Sequence, residues 1–241
     1  NDTIDRDKVK LIQTPQLSVT QKLIKALETD IEYTDDSSAI KANGGTAHYI
    51  KGSYESIKIT FGKELQEIKC LPNPSKDFFV GSGIDIHPFE ENKKMYLGGV
   101  HIESPFGFKA HSDGDVLIHS VIDALLGACG AGDIGEFFPD TDPKYKGADS
   151  KLLLEEIVTF IHNVGYEVVN VDISIIAQVP KINPHKMKIK EKMSELLQIP
   201  KNKFNIKATT AEHLGFIGRR EAVAVQSSAT LKYYDWREKK L

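Results

Sequence analysis

The 241-residue sequence has few cysteines, no long apolar run and little net charge. Cys70 and Cys129 are far apart and form no metal-type pair, so we expect a reducing compartment rather than a disulfide framework. No apolar run approaches the roughly 18 residues that cross a bilayer, which argues against a transmembrane span. The formal net charge of -3 gives no global preference for nucleic acid or an anionic membrane. These absences leave an ordinary globular protein.

The character of the chain changes at Leu71-Pro72-Asn73-Pro74. Residues 1–70 are rich in Lys, Asp, Glu, Ser and Thr, and their apolar residues are scattered. We expect residues 1–75 to be a largely flexible N-terminal extension, with at most a short helix over Gln21–Leu27 and a short strand over Ile57–Phe61. Because the chain begins with Asn1 rather than Met, we expect a processed or recombinant piece of a longer product.

Residues 76–241 carry clear alternation and helical periodicity and are expected to form one compact domain. The pattern predicts an α+β fold in which a single mixed β-sheet is covered mainly on one face by helices. The predicted elements are a strand over Phe79–His87 ended by Pro88, a strand over Met95–Ile102 interrupted by Gly98-Gly99, a helix from Val116 through Ala128, a helix over Asp149–Val164, a strand over Val168–Ala177, a helix over Pro184–Leu197, and strands over Phe204–Thr210 and Ala222–Leu231.

A metal site is the strongest chemical signal in the sequence. Asp85 and His87 are two apart in a predicted strand and therefore lie on one face. With His119 they would supply one carboxylate and two imidazoles, which leaves one tetrahedral position open, as in catalytic zinc sites. Three unconnected polar residues are the more frequent explanation of Asp-x-His alone. However, His119 lies in a very apolar helix, and Asp115 and Asp123, four residues to either side, could orient its ring.

Two further segments carry groups suited to phosphate. His111-Ser112-Asp113-Gly114 precedes a helix N-terminus, which attracts anions. A capping box of Ser112 and Asp115 explains two of these residues, and His111 is left to donate a hydrogen bond to a phosphate. At the end of another strand, Thr hydroxyls suit phosphate oxygens and Glu212 could hold Mg²⁺ or Mn²⁺. A β-forming Thr pair before a helix-starting Glu explains that second segment equally well.

Two more segments have both a functional and an ordinary explanation. The loop from Gly132 to Asp142 places three carboxylates where they could accept hydrogen bonds from polyol hydroxyls, although an acidic surface turn is the more frequent explanation. Arg219 could reach a phosphate or simply pair with Glu221.

Six sequence blocks occur in order between about Val80 and Leu231. They are Gly81–His87, Ala110–Gly127, Gly132–Gly135, Phe138–Asp142, Ala177–Lys181 and Lys207–Glu212. With these blocks, the sequence resembles 2-C-methyl-D-erythritol 2,4-cyclodiphosphate synthases. The resemblance implies a phosphorus-oxygen lyase of the non-mevalonate isoprenoid pathway, in which the 2-phosphate of 4-diphosphocytidyl-2-C-methyl-D-erythritol 2-phosphate attacks the β-phosphorus and CMP leaves.

The resemblance also implies roles for individual residues. It implies that Asp85, His87 and His119 bind zinc, that Glu212 binds Mg²⁺ or Mn²⁺, and that His111 and Thr210 stabilise the transition state. It places the substrate against Ser112, Asp133, Ile134, Gly135, Phe138, Pro139, Asp140, Thr141 and Asp142 on the methylerythritol and ribose side, against Ala177, Gln178, Val179, Pro180, Lys181, Ile182, Asn183 and Thr209 on the cytidine side, and near Ala211, Phe216 and Arg219.

The resemblance further implies a homotrimer with active sites between subunits. The central channel of the trimer would carry Arg219 and Glu221 near a site for an isoprenoid diphosphate. The sequence departs from common members at Phe79, Ser82, Ala211 and His213, and none of these is an expected metal ligand. An extended form of the family suggests a plastid stroma, with a bacterial cytoplasm as the alternative.

Two other functions remain open from the sequence. A zinc phosphohydrolase acting on a nucleotide-linked substrate would use the same triad to activate water. A metal-stabilised trimer that only binds isoprenoid diphosphates would need no chemistry from His111 or Thr210.

Overall fold

The computed structural model describes residues 12–54, 56–61, 64, 68 and 74–235. The described residues fall into two compact units, with residues up to 68 in the first and residues 74–235 in the second. In the N-terminal unit, helices α1 (Thr20–Leu27) and α2 (Asp36–Ala42) are present, so the expected short helix is confirmed. Ile57–Phe61 is not a strand. The flexibility of residues 1–75 stays a prediction, and Cys70 lies outside the described residues.

The second unit contains all the strands found in the described residues. Its larger elements are β1 (Phe78–Glu91), β2 (Met95–Leu97), β3 (Val100–Ile102), β4 (Phe106–Phe108), α3 (Val116–Cys129), α4 (Ile134–Phe137), α5 (Ser150–Asn163), β5 (Tyr166–Ile176), α6 (Lys186–Leu196), β6 (Phe204–Thr209), α7 (Gly215–Gly218) and β7 (Ala222–Tyr233). Short 3₁₀ turns lie at Pro143–Tyr145, Asn183–His185 and Lys201–Lys203. No helix among the described residues has both the length and the apolar character needed to cross a membrane.

A five-stranded mixed sheet forms the body of this unit, in the order β4-β1-β7-β5-β6. β5 and β6 pair in parallel and the other neighbours pair antiparallel. Helix α3 packs on β1 and β7, and α5 packs on α3 and β5. Ten of the fourteen residues of α3 are buried, so this helix is the centre of the core. The predicted α+β class is therefore confirmed.

A separate two-stranded sheet corrects the prediction of one strand over Met95–Ile102. β2 and β3 pair with each other as a hairpin and not with the large sheet. Gly98 and Gly99 connect them with φ of 61° and 73°. Two successive residues with positive φ make a type I′ turn, which matches the twist of a hairpin and favours glycine. The second unit therefore contains two sheets rather than one.

The prediction that Pro88 ends β1 is wrong. The backbone N–H of Phe89 donates to the carbonyl of Glu221 at 2.9 Å, and the carbonyl of Pro88 accepts from the backbone N–H of Lys109 at 2.8 Å. A proline lacks only its own backbone N–H as a donor to the neighbouring strand, and the Pro88 carbonyl and the Phe89 N–H keep their hydrogen bonds. Beyond Pro88 the strand continues to Glu91 beside β4, a strand that the sequence analysis missed.

Two glycines let β1 and α3 approach closely. A Cβ added to Gly83 would lie 2.1 Å from the carbonyl oxygen of Ser120, and one added to Gly81 would lie 2.2 Å from that of Ala124. These separations are far shorter than any van der Waals contact, so a larger residue would push the helix away. Inward-facing positions alternate along a strand, so Asp85 is the next inward residue after Gly83. The close contact at the two glycines therefore also sets the distance between Asp85 and the helix.

We expect Gly83→Ala to destabilise the second unit by about 1 to 3 kcal/mol, because overpacking forces backbone shifts. The control is Gly127→Ala on the facing helix, where the nearest atom to the new Cβ would be 3.9 Å away. That change should be neutral or stabilising by up to about 1 kcal/mol, since alanine favours a helix. Urea unfolding of both variants tests the contact, and equal stabilities would contradict it.

Candidate metal centre and active site

Asp85, His87 and His119 converge on one small volume between β1 and α3. One ligand atom from each of them lies within 4.8 Å of the other two. The strand supplies Asp85 and His87 on its inward face, and the first turns of the helix supply His119. Their side chains are mostly buried, with exposed fractions of 25% for Asp85 and 13% for each histidine. The structure thus brings together the three residues that the sequence analysis selected.

The buried oxygen Oδ2 of Asp85 lies at the centre of this group. It is 3.0 Å from His87 Nε2 and 3.3 Å from His119 Nδ1. Although these distances are short, neither contact has the geometry of a hydrogen bond, and Oδ2 is a buried acceptor without a partner. One carboxylate oxygen and two imidazole nitrogens therefore lie close together, and the oxygen has no hydrogen-bond partner. Such a group of ligand atoms suits a cation better than it suits mutual hydrogen bonds. The residues present therefore fit a divalent metal ion.

The ring of His87 is held in one orientation from behind. Its Nδ1 is 2.9 Å from the carbonyl oxygen of Gly114. A carbonyl only accepts, so Nδ1 carries a proton and donates it, and Nε2 faces the site as the free nitrogen of the neutral ring. Gly114 has φ of 81°, a conformation that favours glycine and directs this carbonyl toward the strand.

The ring of His119 is also contacted on its far side. Its Nε2 is 3.2 Å from Ser112 Oγ and 3.0 Å from Ser150 Oγ. The sequence analysis named Ser112 but missed Ser150, since the contact joins residues 31 positions apart. A serine between a helix cap and an apolar run gives no local signal of this role.

The charges in the triad shift its titration. Burial by itself raises the pKa of Asp85, but the neighbouring His119 and His87 lower it by more, so the net pKa lies well below its usual range. Burial by itself lowers the pKa of His87, but the Asp85 carboxylate outweighs it and the net pKa is raised. Without a metal ion the site therefore attracts a proton.

Asp115 takes a different role from the expected one. Its carboxylate accepts hydrogen bonds from the backbone N–H groups of Gly98 at 2.8 Å, Gly99 at 2.7 Å and Ile118 at 3.1 Å, rather than from the ring of His119. Burial raises the pKa of Asp115. Asp115 is the N-cap of α3, which corrects the expected capping box with Ser112. The structure uses this carboxylate to fasten the β2–β3 hairpin to the helix.

Asp123 likewise binds a backbone group. It accepts a hydrogen bond from the N–H of Ile134 at 2.9 Å, which ties the acidic loop to α3 one turn beyond His119. Burial raises the pKa of Asp123, and the nearby carboxylates of Asp133 and Asp85 raise it further. The loop is therefore held near the metal triad by a side chain of the same helix.

The acidic loop is more ordered locally than an open surface turn. Asp133 accepts from the N–H of Glu136 at 3.1 Å, and Asp142 accepts from the N–H of Lys144 at 2.9 Å. Phe138 is 7% exposed and belongs to the core, against the ring of Tyr145. Two of the predicted carboxylates thus cap turns. Gly135 and the side chains of Pro139, Asp140 and Thr141 are at least partly exposed at the same loop.

The residues expected near the cytidine lie at another edge of the sheet. The N–H of Ala177 donates to the carbonyl of Thr209 at 3.0 Å, and Gln178 Oε1 accepts from the N–H of His213 at 3.3 Å. Thr210 Oγ1 donates to Glu212 Oε1 at 2.5 Å. The set from Ala177 to Asn183, with Thr209 to Ala211, is therefore gathered where the parallel strands β5 and β6 end.

The two predicted halves of the site are separate within one chain. β1 and β6 are separated by β7 and β5, which puts them about 14 Å apart at about 4.8 Å per strand interval. Strand β1, with two residues of the metal triad, is therefore well separated within this chain from the end of β6, which leads to Thr210 and Glu212. Arg219 forms two hydrogen bonds with Glu221, at 2.7 and 3.2 Å, in agreement with the simple ion pair that the sequence analysis left open.

The comparison with known families is decisive for the second unit. A family model described as the YgbB family matches residues 78–232, well over half of the chain. The chain belongs to the YgbB family. A second family model, described as 2-C-methyl-D-erythritol 4-phosphate cytidylyltransferase, matches residues 1–70 of this YgbB-family chain. This match was not expected for a segment predicted to be a flexible extension.

Two curated relatives of this YgbB-family chain come from bacteria. A "Bifunctional enzyme IspD/IspF" from Aliarcobacter butzleri (strain RM4018) is 70% identical over 239 residues, which cover 99% of the chain and 64% of that protein. A protein of the same name from Campylobacter lari is 55% identical, over 98% of the chain and 63% of that protein. The chain thus spans less than two thirds of these relatives. Their sources agree with a bacterial cytoplasm and give the plastid expectation no support.

Solved structures resemble the chain in two ways. The bifunctional IspDF from Campylobacter jejuni is 48% identical with a TM-score of 0.76, over 98% of the chain and 63% of that structure. A 2C-methyl-D-erythritol-2,4-cyclodiphosphate synthase described as a CDP-bound form is 35% identical with a TM-score of 0.59, over 64% of the chain and 99% of that structure. The resemblance found in the sequence is confirmed.

We expect opposite effects of pH on the stability and the metal affinity of this centre. In the metal-free chain the raised pKa of His87 contributes stability below about pH 6.5, the unfolded value, and this contribution is lost as pH rises through the folded pKa. Zinc binds the deprotonated imidazole, so zinc affinity should rise over the same range.

Thermal unfolding between about pH 6 and pH 8, with and without zinc, measures both effects. His87→Gln should flatten the fall in stability of the metal-free chain, whereas the control His101→Gln, at an exposed position on β3, should keep it. Identical pH dependences for the His87 variant and the parent would contradict the assignment.

Proposed function

We propose that residues 78–232 convert 4-diphosphocytidyl-2-C-methyl-D-erythritol 2-phosphate into 2-C-methyl-D-erythritol 2,4-cyclodiphosphate and CMP. The observation that carries the proposal is the convergence of Asp85, His87 and His119 around an unpartnered buried oxygen, in a chain of the YgbB family. The likeness to a synthase of this name over 99% of its length supports the substrate. The cytidylyltransferase match of residues 1–70 agrees with cytidyl and methylerythritol chemistry. This reaction is a step of the non-mevalonate isoprenoid pathway.

The proposed reaction needs no protein nucleophile. A 2-phosphate oxygen forms a new bond to the β-phosphorus, the bond from that phosphorus to the bridging oxygen breaks, and CMP leaves with the electron pair. The protein therefore has to position the two phosphates and neutralise the charge that develops between them. This requirement matches a centre made of imidazoles, carboxylates and hydroxyls.

We infer that Asp85, His87 and His119 hold Zn²⁺, because two imidazoles and a carboxylate suit this ion and leave a position open. When bound, zinc polarises a phosphate oxygen. His111 is exposed at the loop before α3 and would donate a hydrogen bond to the phosphate. Thr210 and Glu212 act from the other half of the site, where Glu212 would carry Mg²⁺ or Mn²⁺. The loop Asp133–Asp142, tied to α3, would bind the methylerythritol and ribose hydroxyls.

We infer further that the enzyme is a homotrimer with its sites between subunits. Within one chain, strand β1, which carries Asp85 and His87, and strand β6, which leads to Thr210, are about 14 Å apart, so we infer that a neighbouring chain completes the site. The outer face of β1 also exposes a row of apolar side chains, at 63% for Phe78, 68% for Val80 and 63% for Ile84. A strand face of this kind suits burial against another copy.

The cytidine side of the substrate would lie against the end of β5 and β6 of the neighbouring chain. Two similar structures are described as CDP complexes, one of them from Plasmodium falciparum and 35% identical. In the trimer, Arg219 would face the central channel. A diphosphate there, such as that of an isoprenoid, would have to compete with Glu221 for the guanidinium.

Phosphorus NMR of the product tests the reaction. With the cytidyl substrate we expect the signals of a cyclic diphosphate together with CMP, and we expect a chelator to abolish both. His119→Ala should lower the rate by at least about 100-fold, because it removes a metal ligand. The control His101→Ala should keep the rate.

A linear phosphorylated product would show that the substrate is hydrolysed rather than cyclised, and it would support the zinc phosphohydrolase instead. Full activity of His119→Ala would contradict the role of the triad.

Sedimentation tests the assembly. Ile84→Asp should convert trimers to smaller species, because it places a charge on the outer face of β1. The matched control is Leu152→Asp on α5, which has nearly the same exposed fraction, 62%, but lies on the opposite side of the sheet. If both variants sediment like the parent, the outer face is not the interface.

A further inference from the structure

A short chain of polar groups lies behind the metal triad, on the side of His119 that faces away from Asp85. His119 Nε2 is 3.0 Å from Ser150 Oγ, and Ser150 Oγ donates a hydrogen bond to Asp113 Oδ1. The backbone N–H of Ser150 donates to Asp113 Oδ2 at 3.2 Å. Ser150 is fully buried at the first turn of α5. The proposed reaction gives no role to Asp113 or Ser150.

The direction of these hydrogen bonds follows from the geometry. His119 Nδ1 faces Asp85 Oδ2 at 3.3 Å, so Nδ1 is the nitrogen that a metal ion in the triad would use. A metal-bound nitrogen has no proton, and the neutral ring therefore carries its proton on Nε2. Ser150 gives its own hydrogen to Asp113, which leaves its lone pairs to accept from Nε2. The proton order is Nε2–H to Ser150 and Ser150 O–H to Asp113.

Ser150 is a better acceptor for this proton than the other hydroxyl in reach. Ser112 Oγ is slightly farther from Nε2, at 3.2 Å, and already accepts from the N–H of Gly114 at 3.1 Å. No carboxylate takes the proton of Ser112 in the described hydrogen bonds, whereas Ser150 is polarised by Asp113. A hydroxyl that donates to a carboxylate is a stronger acceptor for the next donor in the chain.

Asp113 is itself fixed by the backbone. Its Oδ1 accepts from the N–H of Asp115 at 3.2 Å, and its own N–H donates to the carbonyl of Ala148 at 3.0 Å. The carboxylate thus joins the loop before α3 to the start of α5. Because Asp113 is fixed by both of these segments, it cannot easily move with the ring of His119. It can therefore restrain the rotation of that ring through Ser150.

We propose that Ser150 and Asp113 are positioning residues of the metal centre. Through Nε2 they keep the ring of His119 turned with Nδ1 toward the cation, and they strengthen the imidazole as a ligand. They do for His119 what the carbonyl of Gly114 does for His87. The inference rests on the metal site proposed above, but not on the reaction assigned to it.

Zinc affinity of the metal-free full chain, measured by competition with a chromophoric chelator, tests this proposal. Ser150→Ala should bind zinc about 10- to 100-fold more weakly, and Asp113→Asn, which keeps the shape but not the charge, should lose affinity in the same direction. The control is Ser194→Ala on α6. Ser194 is also a buried serine, but its hydroxyl has no hydrogen-bond partner, so its removal should leave zinc affinity unchanged.

A spectroscopic measurement separates positioning from general stability. In nitrogen NMR of the zinc-loaded chain, the Nε2–H of His119 should be visible, and it should exchange with solvent faster in Ser150→Ala. If Ser150→Ala does not fold, Asp113→Asn decides the question. Zinc affinities of the folded variants within twofold of the parent would overturn the proposal, as would an equal loss in Ser194→Ala.

The metal site and the reaction fail separately in these measurements. A parent chain that binds no zinc overturns the site and the positioning role together. Weaker zinc binding in Ser150→Ala supports the positioning role whether or not the parent forms a cyclic product.

Discussion

The close contact between β1 and α3 is the constraint on which the site depends. At Gly81 and Gly83 the strand lies against the backbone of the helix, so that an added Cβ would be only 2.2 Å and 2.1 Å from helix carbonyl oxygens. The next inward residues of the strand, Asp85 and His87, then reach the flank of the same helix at His119. Packing at backbone distance therefore sets the spacing of the three ligand atoms, and no hydrogen bond between them is needed to hold it.

Much of this arrangement could be predicted from local pattern. Alternation places Asp85 and His87 on one face, and the apolar run around His119 identifies a buried helix, so period and composition support a metal site shared by this strand and this helix as a hypothesis. The β2–β3 hairpin was missed because Gly98-Gly99 was taken as an interruption rather than a turn. Local pattern also fails for Ser150, whose partners come from a distant loop, and for the two strand glycines, whose role depends on the helix they meet.

The carboxylates show how one residue type takes different roles by position. Asp85 faces two imidazoles and keeps an oxygen free, while Asp115 and Asp123 are taken up by backbone N–H groups. Sequence spacing put all three near His119, but spacing cannot show which donors will reach a carboxylate first. At a helix start and beside a loop, backbone donors are nearer than an imidazole ring.

The position of Asp115 has a consequence for anion binding. The beginning of α3 carries partial positive charge, yet a buried carboxylate already sits there and engages three N–H groups. The helix end is thus charge-compensated by the protein itself and has little attraction left for a phosphate. A phosphate bound in this region would need positive charge from another group, and the cation proposed between β1 and α3 would supply it.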